Sequence, residues 1–139
     1  MIIACATNEG SKFVTCHFGE AEKYYIYDLN EKGYILLAVI DNNTGEEDEG
    51  VHADVKKAKG ITGLLKESSV QVVITKVFGP NIKRIVNHFV PIIASSDNVE
   101  DGLNALVTNY SKINELLVKN SGDTYFNLKN NSEVKINVQ

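Results

Sequence analysis

Val70-Gln71-Val72-Val73-Ile74-Thr75, followed two residues later by Phe78-Gly79-Pro80-Asn81, joins a short apolar strand to the start of a helix. The strand is apolar at nearly every position, the pattern of a parallel strand covered on both faces. Pro80 stands where a helix can begin, because its missing N–H would have no intrahelical partner there. Ile82, Ile85, Val86 and Phe89 then give one apolar face, and Pro91-Ile92-Ile93-Ala94 reads as the next strand. A strand, a helix and a second strand in that order predict a right-handed crossover between parallel neighbours. Pro91, first in its strand, suits an edge position.

The same pattern occurs upstream. From His52 to Ser68, Val55, Ala58, Ile61 or Thr62, and Leu65 recur at helical spacing, with Lys56, Lys57 and Lys59 outward. Three strands precede that helix. Ile2-Ile3-Ala4-Cys5-Ala6-Thr7 is apolar almost throughout, and residues 24–29 are rich in tyrosine. The turn Asn30-Glu31-Lys32-Gly33 returns the chain antiparallel through residues 34–41. Residues 8–23 form a long polar connection in which residues 12–15 can pair briefly. Downstream, Asp97 with Glu100 three residues on resembles a capping box. Val99, Leu103, Leu106, Tyr110, Ile113 and Leu117 then mark one long amphipathic helix to about Lys119.

The order βββαβαβα predicts an α/β fold: a five-stranded mixed sheet in the order 3-2-1-4-5, with strand 2 reversed and helices on both faces. Strands 1 and 4 then send the chain to opposite sides, and open α/β sheets bind ligands at such a switch point. The loops after strands 1, 3 and 4 are expected to meet there, carrying Cys16-His17, His52 and Phe78-Gly79-Pro80-Asn81. The helix starting at Pro80 would aim N–H groups at the same place. His88, at that helix's far end, reads as surface or packing. The domain spans residues 1–119, and residues 120–139 form an extension, either a hairpin or a loose tail.

With 139 residues and 43% hydrophobic content, the chain can bury a core without disulfides. The net charge is −4 and Arg84 is the only arginine, so nucleic acid is not an expected partner. No eighteen-residue apolar run or signal-peptide pattern is found, so a cytoplasmic protein without membrane contact is expected. In a reducing compartment Cys5 and Cys16 are thiols or ligands, and Cys5, inside an apolar strand, reads as a buried small hydrophobe. The acidic run Glu46-Glu47-Asp48-Glu49 lacks EF-hand spacing and reads as a solvated loop.

Chemistry gathers in Cys16-His17-Phe18-Gly19. Cys16 supplies a soft thiolate donor and His17 an imidazole, and Gly19 lets the backbone approach a ligand. Strand 1 carries no carboxylate, which disfavours a two-metal hydrolase. A thiol enzyme with His17 as base would need adjacent side chains to converge, so no catalytic residue is assigned. The competing reading is a metal-free interaction module, with Phe18 and Phe78 packed at the crevice.

His17-Phe18-Gly19 before a strand ending in Tyr27-Asp28, together with Gly79-Pro80-Asn81 after a valine-rich strand, resembles the dinitrogenase iron-molybdenum cofactor biosynthesis family over Met1 to about Lys119. The resemblance implies a ribonuclease-H-like three-layer fold. It also implies non-catalytic binding or carriage of an iron-sulfur or iron-molybdenum cluster, with cofactor-assembly proteins as partners in nitrogen fixation. Cys16, His17, Phe18, Gly19, Phe78, Gly79, Pro80 and Asn81 are then expected at the cofactor, and Cys16, His17 and His52 at its metal. Lys76-Val77-Phe78, the acidic loop before His52 and the C-terminal extension depart from the family pattern.

Overall fold

A computed structural model describes residues 1–42 and 53–136, the first seven of the latter by backbone only. Its strands are β1 (Ile2–Ala6), β2 (Lys23–Asn30), β3 (Gly33–Asp41), β4 (Val72–Thr75), β5 (Val90–Ile93), β6 (Thr124–Asn127) and β7 (Ser132–Lys135). The helices are α1 (Ala53–Glu67), α2 (Ile82–Ile85), α3 (Val99–Thr108) and α4 (Tyr110–Lys119). The sheet order is β3-β2-β1-β4-β5-β6-β7. β2 is antiparallel to β1 and β3, whereas β4 is parallel to β1 and β5.

The expected 3-2-1-4-5 order is present, but the sheet has seven strands and not five. Residues of the C-terminal extension supply the other two: β6 pairs parallel to β5 through Ile92–Phe126 and Ile93–Asn127, and β7 returns antiparallel. Phe126 and Leu128 are buried in the core, which gives the extension an apolar anchor. β5 is therefore an inner strand, contrary to the edge suggested by Pro91. The proline is tolerated because Val90 N and Ala94 N both donate toward β4, to Gln71 O and Thr75 O, so Pro91 N faces the other side. There β6 pairs only from Ile92 onward, so no ladder bond is lost.

Three helix expectations are corrected. The long C-terminal helix is two helices, broken at Asn109, whose side-chain amide donates to Ala105 O at 2.9 Å. Asp97 does not cap α3, since its carboxylate is held by the Lys76 ammonium, and Asn98 occupies the cap position. The segment opened by Pro80 is a 3-10 turn (Gly79–Asn81) running into the four-residue α2. Its aligned N–H groups are few, so it makes little helix dipole.

Side chains alternate along β1 and feed two cores. Ile3 and Cys5 join Leu103, Leu106, Ile113 and Phe126 on the α3/α4 face. Ala4 and Ala6 join Phe18, Tyr24, Ile61, Leu65, Phe78 and Ile85 on the other. Helices thus cover both faces. The lack of a Cβ at Gly102 matters on the first face, because one would lie 2.7 Å from Phe13 Cζ. Burial pushes the Cys5 thiol strongly up from its ordinary value, as expected for a packed thiol.

Candidate functional site

β1 and β4 lie side by side and parallel, so their following loops leave at the same end of the sheet. The first loop is folded by its own polar groups. Thr7 Oγ1 donates to Lys12 O at 2.5 Å and accepts from Gly10 N at 3.0 Å. Asn8 Oδ1 accepts from Glu22 N at 2.9 Å, closing a long excursion onto the start of β2. Asn42, just past β3, donates through its side chain to Gly19 O and Ala21 O at 3.1 and 2.8 Å. These bonds fix the 3-10 turn Phe18–Glu20 above the sheet end.

The segments Cys16-His17-Phe18-Gly19 and Phe78-Gly79-Pro80-Asn81 meet through backbone and rings. Phe18 N donates to Val77 O at 3.0 Å. The Phe18 ring stacks on Phe78 with centroids 5.4 Å apart and tilts against Tyr24 at 5.1 Å. Tyr24 OH donates to Phe18 O at 2.6 Å, and burial raises its phenol pKa well above normal. Each ring pair adds about 0.5–1.5 kcal/mol beyond burial, so the turn rests on a rigid aromatic base.

His17 stands on that base. Its Nδ1 lies 3.5 Å from Glu20 Oε1, an electrostatic contact, while the same carboxylate oxygen accepts from His17 N at 3.1 Å. The opposite wall is Gly79, at φ +70°, where an added Cβ would lie 2.6 Å from His17 Nδ1. Only glycine permits the imidazole to lie flat against this turn. With Nδ1 turned toward Glu20 and Gly79, Nε2 is the donor left for a ligand.

A cavity of about 310 Å³ opens beside the ring. His17, Gly19, Glu20, Pro80, Asn81 and Arg84 supply its polar and backbone lining, and Phe18, Ile61, Ile85 and Phe89 its apolar floor. Of the expected residues, His17, Phe18, Gly19, Pro80 and Asn81 are therefore together, and Gly79 touches His17 from behind. Phe78 is buried beneath Phe18 and does not line the cavity. Cys16 is exposed, is in no disulfide and lies outside the lining. His52 and the acidic run lie outside the described residues, so the expected meeting of three loops is seen for the two after β1 and β4. Among the described residues, no group of three His, Cys, Asp or Glu is placed to hold a metal ion.

Arg84 and Glu20 were not singled out from sequence. A signal for Arg84 existed, since it falls four residues after Pro80 and the chain has no other arginine. Glu20 follows His17 by three residues, the spacing of a reciprocal cap. His88 is exposed at the other end of its segment, and burial followed by nearby Lys66 lowers its pKa. No helix among the described residues is long and apolar enough to cross a membrane.

The fold and crevice define a small mixed α/β domain with a cavity at the switch point of its sheet, apolar on its floor and polar at its mouth. The chain belongs to the dinitrogenase iron-molybdenum cofactor family, whose sequence model matches residues 1–109. That match takes in the whole crevice and stops short of β6 and β7. Comparison with curated proteins finds no match.

Proposed function

We propose that this protein is a non-catalytic carrier, acting in the cytoplasm, that takes an anionic iron-sulfur or iron-molybdenum cluster as cargo in this crevice. Cofactor-assembly proteins would be donor and acceptor. The observation that carries the reading is the His17 imidazole, held by Glu20 and Gly79 at the mouth of a cavity whose lining includes Arg84. A carboxylate beside a ligating imidazole orients the ring. Arg84 gives a fixed positive charge for an anionic cluster. Cys16 would add a thiolate from just outside the lining, and His52 is the proposed third donor. Few protein ligands leave a cluster transferable, as carriage requires. The 3-2-1-4-5 strand order with β2 reversed supports a ribonuclease-H-like fold for this carrier.

One observation favours a second reading, a metal-free regulatory module: Phe18 and Phe78 are packed together, and no three-ligand group exists among the described residues. Anaerobic reconstitution with iron and sulfide separates the two. The carrier is expected to gain charge-transfer absorbance, to lose most of it on replacing Cys16 and His17 with Ala, and to weaken about tenfold with Arg84→Gln. A wild-type protein that takes up no cluster would leave the module reading. Equal uptake by the double variant would refute the ligand assignment.

A further inference from the structure

β3 forms one edge of the sheet, yet it is apolar on both faces and open to solvent. Ile35, Leu36, Leu37 and Val39 are 64%, 47%, 54% and 44% exposed. Residues 34–40 contain neither a charge nor a proline. Unpaired edges recruit other strands, and proteins usually guard them with short length, charge or proline. The opposite edge follows that rule: β7 has four residues and carries Glu133 and Lys135. β3 has nine residues and no such guard between its ends.

A register shift makes this edge complementary to itself. Ile26 pairs with Ala38 and Tyr27 with Leu36, so Leu37 is an extra, bulged residue. The bulge reverses the facing of the second half. Tyr34 packs with the α3/α4 core and Ile40 with the opposite one, although a regular strand would put both on one face. A two-fold axis perpendicular to the sheet requires opposed residues to share a face. Antiparallel apposition of two β3 strands satisfies this with Tyr34 opposite Val39, Ile35 opposite Ala38 and Gly33 opposite Ile40. It also sets Lys32 of each copy opposite Asp41 of the other. Asp41 already binds Lys23 of its own chain at 2.7 Å, and the second cation would complete the cluster. Parallel apposition would instead bring Lys32 toward Lys32.

We propose that a second copy of this chain adds to β3, joining two seven-stranded sheets into one across an antiparallel β3–β3 seam. The cargo cavity is lined by none of these residues and stays open in the dimer. An interface one strand wide on each side is small for a specific complex, so a dissociation constant on the order of micromolar is expected.

Sedimentation equilibrium of the full chain, from about 1 to 200 μM, tests this. The wild type is expected to approach twice the 15.3 kDa chain mass. Leu36→Lys should stay monomeric throughout, with circular dichroism reporting its fold. Lys32→Glu, in the exposed turn, should weaken the dimer about fivefold at low salt and less at high salt. A monomeric wild type at the highest concentration would overturn the proposal and leave the edge to an extended peptide of another protein. A Lys32→Glu dimer as tight as wild type would overturn the antiparallel pairing even if Leu36→Lys failed to fold.

Discussion

Replacing Gly79 with Ala should disturb the crevice from behind. The residue has φ +70°, where an L side chain costs about 1–2 kcal/mol. The new methyl would also lie 2.6, 2.7 and 2.8 Å from Nδ1, Cε1 and Cγ of His17. Those atoms cannot stay in place, but the His17 side chain is 46% exposed and has solvent to turn into. The collision is therefore relieved by ring rotation, and the stability loss stays near the backbone term. For a chain of this size that loss lowers Tm by about 3–8 °C. Cluster uptake should fall as far as with His17→Ala, because the imidazole leaves its place beside Glu20. Gly19→Ala is the control: a Cβ there meets nothing within 4 Å, and stability should hold. Calorimetry gives the stability change, and the imidazole proton signals in NMR report the ring. A Gly79→Ala protein with unchanged Tm and unshifted His17 signals would refute the reasoning.

Three further outcomes follow from buried groups. Thr75 Oγ1 is buried with no hydrogen-bond partner among the described residues, so Thr75→Val should stabilise by about 1 kcal/mol in urea unfolding. A loss of similar size would reveal a partner. Burial raises the pKa of Cys5 from 9.0 and of Tyr24 from 10.0, and pushes Tyr27 up to about 12. The folded chain holds protons that the unfolded chain releases, so this contribution is complete below about pH 9 and is lost as pH rises toward 12. A urea midpoint unchanged between about pH 8 and 11 would contradict it. In the folded protein a thiol reagent should label exposed Cys16 rapidly and Cys5 only at the rate of unfolding; two fast equivalents would show that β1 is not buried as described.

Local pattern carried much of this fold. The mostly apolar run at β4 and the helical spacing of apolar residues on either side of it placed two parallel crossovers, and those constrain the order of five strands. The extension was harder to read, because β6 and β7 are four residues each and, among its described residues, only Phe126 and Leu128 are buried. Asp97 misled for a related reason: its spacing to Glu100 is that of a cap, but Lys76, twenty-one residues earlier, claims its carboxylate.

By itself, the sequence determined the alternation of strands and helices, the burial of Cys5 and the family to which His17-Phe18-Gly19 and Gly79-Pro80-Asn81 point, since each depends on periodicity or on neighbours within a few residues. Only the tertiary structure decided what these segments touch. It set His17 against Gly79 across sixty-two residues of chain, brought Arg84 and Phe89 to the same cavity, and buried Phe78 beneath the ring it was expected to accompany. It also left β3, with the composition of a central strand, at an edge, because strand composition states a preference for burial but not which neighbour supplies it.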